Sequence, residues 1–94
     1  MNNLKSLERW YYSQCDEDWE HIYQIKLETV DNPGWSLEID LEENNLENKK
    51  FSEIEIERSE DDWLFCLVRD NKFIGAGGPL NLDEILTIDL IKQI

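Results

Sequence analysis

A chain of 94 residues supports one domain and one compact core, hiding roughly 60–65% of the surface its unfolded form exposes and leaving no room for a separate cofactor domain. Nine Lys and Arg against 22 Asp and Glu give a net charge of −13, which repels nucleic acid and anionic membrane, because both are bound by displacing counterions with basic side chains. No apolar run reaches the roughly 18 residues of a membrane span, Met1-Asn2-Asn3-Leu4-Lys5 leads into no signal-peptide core, and Cys15 and Cys66 read as reduced thiols, so residues 1–94 are expected to form one acidic cytoplasmic domain.

Leu4 to Gln14 reads as a helix, with Leu4, Leu7 and Tyr11 on one stripe that Trp10 widens. Ser13 to Asp18 is a polar break. Ile22 to Val30 alternates as a half-buried strand, with Tyr23, Ile25, Leu27 and Thr29 on one side. Asp31-Asn32-Pro33-Gly34 predicts a type II turn, with Pro33 at its i+1 position and a positive-φ Gly34 at i+2. Trp35 to Leu41 alternates again and completes a hairpin. Glu42 to Lys50 is a polar loop. Ser52 to Arg58 places Ile54 and Ile56 inward. Trp63 to Arg69 is apolar on both faces, which predicts a central strand covered on both sides. Asp70-Asn71-Lys72 turns the chain into Phe73 to Gly77. Gly77-Gly78-Pro79 breaks the sheet. Asn81 then caps a last helix over 82–93, with Glu84 three residues on in a capping-box spacing. The expected fold is α+β: a five-stranded, mainly antiparallel meander sheet with an N-terminal and a C-terminal helix packed on it. Leu82, Ile85, Leu86, Ile88, Leu90, Ile91 and Ile94 make the last helix broadly apolar. It is therefore either sandwiched or free to pair with a second copy.

The densest polar cluster is Cys15-Asp16-Glu17-Asp18-Trp19-Glu20-His21. Its alternating acids resemble the start of a calcium loop. His21 stands where that loop needs Gly, however, and Leu27 where it needs a bidentate Glu. Cys15 with His21 suggests a small cytosolic enzyme helped by the nearby carboxylates. Against this, Cys15 follows a helix C-terminus and sits among acids, both of which disfavour a thiolate. One His in the chain leaves no His-rich metal site. Gly75-Ala76-Gly77-Gly78-Pro79 precedes a helix as phosphate loops do. It lacks their glycine spacing and closing Lys, and Asp83 and Glu84 stand where phosphate would rest, so tight packing with φ > 0 is the expected use of these glycines. Neither a cofactor nor a metal is expected.

From Glu38 to Asp62 there are eleven acids against three basic residues. Glu38, Asp40, Glu53, Glu55 and Glu57 recur at alternate strand positions. If the second and third strands are neighbours, these five form one acidic sheet face. Either that face is ordinary solvated surface, or it docks a basic protein with electrostatic steering. Trp10, Trp19, Trp35 and Trp63 mostly follow core parity, but Trp19 and Trp35 lie at loop boundaries where a ring can anchor an interface. The expected partner-binding residues are thus Asp16, Asp18, Trp19, Glu20 and Trp35, together with the five acids of the sheet.

Read together, Trp10-Tyr11, Gln14-Cys15-Asp16, Asp18-Trp19-Glu20-His21, Asp31-Asn32-Pro33-Gly34-Trp35 and Gly75-Ala76-Gly77-Gly78-Pro79-Leu80 resemble the immunity protein 53 family of bacterial polymorphic toxin systems. The resemblance runs from about Trp10 to the final helix. At Glu17 the chain departs from the family loop, where the resemblance implies Gly. It implies a small cytoplasmic protein, not an enzyme, that binds and blocks a cognate toxin. Toxins of such systems are often nucleases with basic clefts, which an acidic surface suits by analogy.

Overall fold

The computed structural model describes residues 3–43, 47 and 50–88. The first helix, α1 (Asn3–Gln14), buries Leu7 and Trp10. Leu4 and Tyr11, expected on the same stripe, are 52% and 39% exposed. The buried arc centres on the Leu7–Trp10 pair, and positions three or four residues further out fall at its margins. A single helical turn not foreseen in the sequence, α2 (Trp19–Ile22), follows the polar break. The strand expected from Ile22 therefore begins later, as β1 (Ile25–Val30).

β1 pairs antiparallel with β2 (Gly34–Asp40), placing Leu27 opposite Leu37 and Thr29 opposite Trp35. The expected type II turn is not formed. Asn32–Pro33 is a cis peptide, no glycine has positive φ, and Gly34 is already paired with Val30 in the ladder. The remaining strands are β3 (Ile54–Ser59), β4 (Asp62–Arg69) and β5 (Lys72–Gly77). Asp70 and Asn71 sit at φ 53° and 59° between the paired Arg69 and Lys72. That is the left-handed pair a two-residue hairpin turn requires, and Asp and Asn tolerate it better than most residues.

The sheet is antiparallel throughout, in the order β1-β2-β5-β4-β3. It consists of a hairpin and a three-stranded meander, joined so that β5 docks beside β2. The middle strand is therefore β5, not the more apolar β4, and β3 lies at the far rim from β1. The register alternates across the five strands, apart from an irregularity in the β3–β4 ladder between Glu57 and Ser59. One face carries Ile25, Leu37, Ile39, Phe73, Leu64, Cys66 and Ile56, and there Leu7, Trp10, Trp19, Ile85 and Leu86 of the helices close the core.

The glycines of β5 make room for the last described helix, α3 (Leu82–Ile88). A Cβ on Gly75 would lie 2.8 Å from Cγ2 of Ile85 and 3.2 Å from the Phe73 ring. Close packing, without positive φ, is thus what these glycines provide. Asn81 and Glu84 do interact, but with reversed polarity from the expected box. The Asn81 side-chain NH2 donates to Glu84 Oε1 (3.0 Å) and Asp62 Oδ1 (2.9 Å), while the Asn81 backbone carbonyl accepts the Ile85 N–H. Arg58, which falls at an irregularity in the β3–β4 ladder between Glu57 and Ser59, reaches the same point. It donates to Asp62 Oδ1 at 2.9 Å and to both Glu84 oxygens at 3.0 and 2.6 Å. The Asn81 and Arg58 hydrogen bonds hold the Asp62 carboxyl below the ordinary range, and Arg58 does the same to Glu84. The hairpin β3–β4 is thereby stapled to α3. The predicted continuation of the last helix over 89–93, with Leu90, Ile91 and Ile94, lies outside the described residues.

Candidate functional site

All three helices close one face of the sheet, and among the described residues none covers the other. Counting alternate positions across the register, this open face presents Lys26 and Glu28 from β1, Ser36, Glu38 and Asp40 from β2, Lys72, Ile74 and Ala76 from β5, Trp63, Phe65, Leu67 and Arg69 from β4, and Glu55 and Glu57 from β3. The single acidic face expected from five residues is not formed. β5 and β4 lie between β2 and β3, so Glu38 and Asp40 stand about 14 Å from the β3 acids, three strand spacings away. The wrong premise was that β2 and β3 are neighbours. Two acidic flanks result, with a half-buried apolar median between them in which Glu38 faces Ile74, Ile74 faces Leu67, and Phe65 faces Glu55. This median, missed in the sequence, explains why β4 is apolar on both sides: one side is core and the other is open face. Leu67 is buried there although it lies outside the core cluster.

The flanks differ. Asp40 is only 15% exposed at its side chain, pairs with Lys72 at 3.0 Å, and accepts the Gln24 N–H at 2.9 Å. The Lys72 ammonium is accordingly held above its usual range by Asp40. Glu38 faces Lys26 across the β1–β2 ladder. On the β3 side, Glu53, Glu55 and Glu57 are exposed and, among the described residues, none of them forms an ion pair, since Arg58 turns to α3. The β3 flank is thus the more strongly negative of the two.

The second acidic site, at residues 16–20, is largely self-satisfied. Asp16 Oδ1 accepts the N–H groups of Asp18 (3.0 Å) and Trp19 (2.8 Å), capping α2, and Glu20 returns the favour by accepting those of Asp16 and Glu17 at 3.0 Å each. Backbone N–H donors pull both carboxyls below their ordinary range: those of Trp19 and Asp18 for Asp16, and for Glu20 first its own, then those of Asp16 and Glu17. Trp19 is not a surface anchor. It is 3% exposed, its indole N–H donates to Glu42 O at 2.8 Å, and Trp10, Tyr11 and Tyr23 pack around it with centroids 6.0–6.2 Å away. Trp35 is half-buried on the core face and donates to Pro79 O at 3.1 Å. Asp18 remains exposed. The Cys15 thiol donates to the Tyr11 carbonyl at 3.3 Å, and among the described residues no hydrogen bond joins it to His21. Among those residues there is also no group of three or more His, Cys, Asp or Glu arranged to hold a metal, and no helix long and apolar enough to cross a membrane.

Glu17 sits at φ 77° in this loop. A side chain with a Cβ costs roughly 1–2 kcal/mol in the left-handed region, and glycine does not. Glu17→Gly is therefore expected to raise the unfolding free energy by about 1 kcal/mol, read as a shift in the urea midpoint at unchanged slope. A destabilised variant would show that the Glu17 side chain holds the loop in some other way.

A family model for Immunity protein 53 matches residues 4–92. No curated protein and no solved structure matches the chain.

Proposed function

Because the chain belongs to the immunity protein 53 family, and so to a family of proteins directed against a toxin, we propose that it acts in the cytoplasm as a stoichiometric inhibitor that covers a basic surface of its cognate toxin with the open face of its sheet. The observation that carries this reading is the layout of that face: an apolar median of Phe65, Leu67 and Ile74 between carboxylate flanks. Interfaces concentrate affinity in a desolvated apolar centre, while charged rims steer the encounter and set its rate. A basic cleft, as nucleases have, is the complement such a face fits. The net charge of −13 disfavours nucleic acid itself as the ligand.

The direct test is co-expression with the neighbouring toxin-like reading frame, scored for growth rescue and a 1:1 complex. No rescue and no complex would sink the reading. The flank asymmetry makes it sharper. Glu55→Lys with Glu57→Lys should slow association with the toxin by roughly tenfold at low salt, with the defect shrinking as ionic strength rises. Stability should change little, since these side chains face Phe65 and Trp63 rather than other acids. An association rate and salt slope equal to wild type would remove the β3 flank from the interface.

A further inference from the structure

Beside the sheet's rim, an open cleft of about 470 Å³ lies between α1, α2 and the entry to β1. Leu7 and Ile25 contribute aliphatic surface, Tyr11 and Tyr23 aromatic rings, and Glu8 and Glu20 carboxylates. The two tyrosines are held in place by packing on the buried Trp19, with ring centroids 6.2 and 6.1 Å from it. Glu20 is fixed by its two backbone N–H contacts at 3.0 Å. Half of the cleft is therefore preorganised.

We propose that this cleft receives an arginine side chain of the protein partner, its stem along Leu7, Ile25 and the tyrosine rings and its guanidinium between Glu8 and Glu20. The choice of guanidinium follows from the walls. A planar, weakly hydrated cation stacks on aromatic faces and bonds carboxylates in a fork, which an ammonium does less well. An anion is repelled by both carboxylates, and a second copy of a chain at −13 is repelled as a whole. The Lys5–Glu8 pair at 2.9 Å is exposed on both sides, so an incoming guanidinium displaces it at small cost. The cleft adds to the open face a second point of attachment. For its occupant the inference rests on the toxin-binding reading; the cleft itself does not.

The experiment is a titration of the ¹⁵N-labelled protein with N-acetyl-arginine amide and, in parallel, with its neutral isostere N-acetyl-citrulline amide. Saturable shifts confined to Tyr11, Glu20, Tyr23 and Ile25 are expected with arginine alone, at about 1–10 mM. Tyr11→Leu and Glu8→Gln should each weaken them at least roughly fivefold, Glu8→Gln leaving the unfolding midpoint in place and Tyr11→Leu lowering it modestly through the lost ring contact with Trp19. In the complex with the toxin, the same two variants should speed dissociation. Equal response to arginine and citrulline, or no saturation, overturns the proposal. So does tighter binding of a free polyamine such as spermidine than of the arginine amide, which would make the cleft a small-molecule site. Growth rescue retained alongside a failed titration leaves the inhibitor reading standing. A successful titration without rescue or complex removes the toxin while keeping the guanidinium site.

Discussion

Trp19→Ala is expected to lower the unfolding free energy by about 3–5 kcal/mol, the usual loss for a fully buried aromatic. A domain of 94 residues holds about 5–14 kcal/mol in total, so this one change removes a large share of it. Trp19 gathers Trp10, Tyr11 and Tyr23 around one ring and ties the α2 turn to the end of β2 through its indole N–H on Glu42 O. Deleting the ring leaves a cavity among Trp10, Tyr11 and Tyr23 and takes the indole donor from the Glu42 carbonyl. Trp19→Phe keeps an aromatic ring and loses the hydrogen bond, so it should cost less than the alanine variant. Urea unfolding followed by far-ultraviolet circular dichroism measures both. A loss under about 1 kcal/mol for Trp19→Ala would mean that the ring is not the hub of this corner.

Gly34→Ala is expected to cost about 3 kcal/mol, from the addition of one methyl group. A Cβ at residue 34 would run into the backbone carbonyl oxygen of Gly77 and come within 3.3 Å of Val30 Cγ2. No rotamer relieves a contact with backbone, so β2 and β5 must part where Trp35 pairs with Gly77. That pairing joins the N-terminal hairpin to the meander. The variant should therefore lose stability without losing either strand's local propensity. Ser36→Ala, on the open face of the same strand, is the matched control and should stay within about 0.5 kcal/mol of wild type. If Gly34→Ala unfolds at the wild-type midpoint, the two strands do not approach as closely as described.

The strands were legible because alternation is a local property: Ile54 and Ile56 inward with Glu55 and Glu57 outward, or Leu37 and Ile39 against Glu38, reads directly from spacing. What joins to what was not legible. Pairing β2 with β5 is a contact across more than thirty residues of sequence, and nothing in the alternation of either strand reports it. Glu38, Asp40, Glu55 and Glu57 do share one parity, while Glu53 precedes β3, and the division into two flanks follows from the strand order alone. The α2 turn is too short to show periodicity. Its signal was the Asp16 carboxylate ahead of Trp19 with Glu20 behind, a capping arrangement read instead as an incomplete metal loop. The core parity read for the Trps holds for Trp19, which is buried in the core and is not a surface anchor. The cleft residues Glu8, Tyr11 and Tyr23 escaped notice because two of them sit at the margin of a helix stripe and the third just before a strand.

The strand order leaves two rims, β1 and β3, each with a row of backbone N–H and C=O groups that no neighbouring strand among the described residues takes up. Such rims recruit other strands, and a long, flat, apolar one seeds aggregation. On β3 the outward positions Glu55 and Glu57 are carboxylates, Arg58 follows at the ladder's irregularity, and on β1 Lys26 and Glu28 flank Leu27. Two copies aligned rim to rim along β3 would bring those carboxylate rows together at a single strand spacing. The carboxylates proposed to meet the toxin thus also guard this rim against stacking of one copy on another.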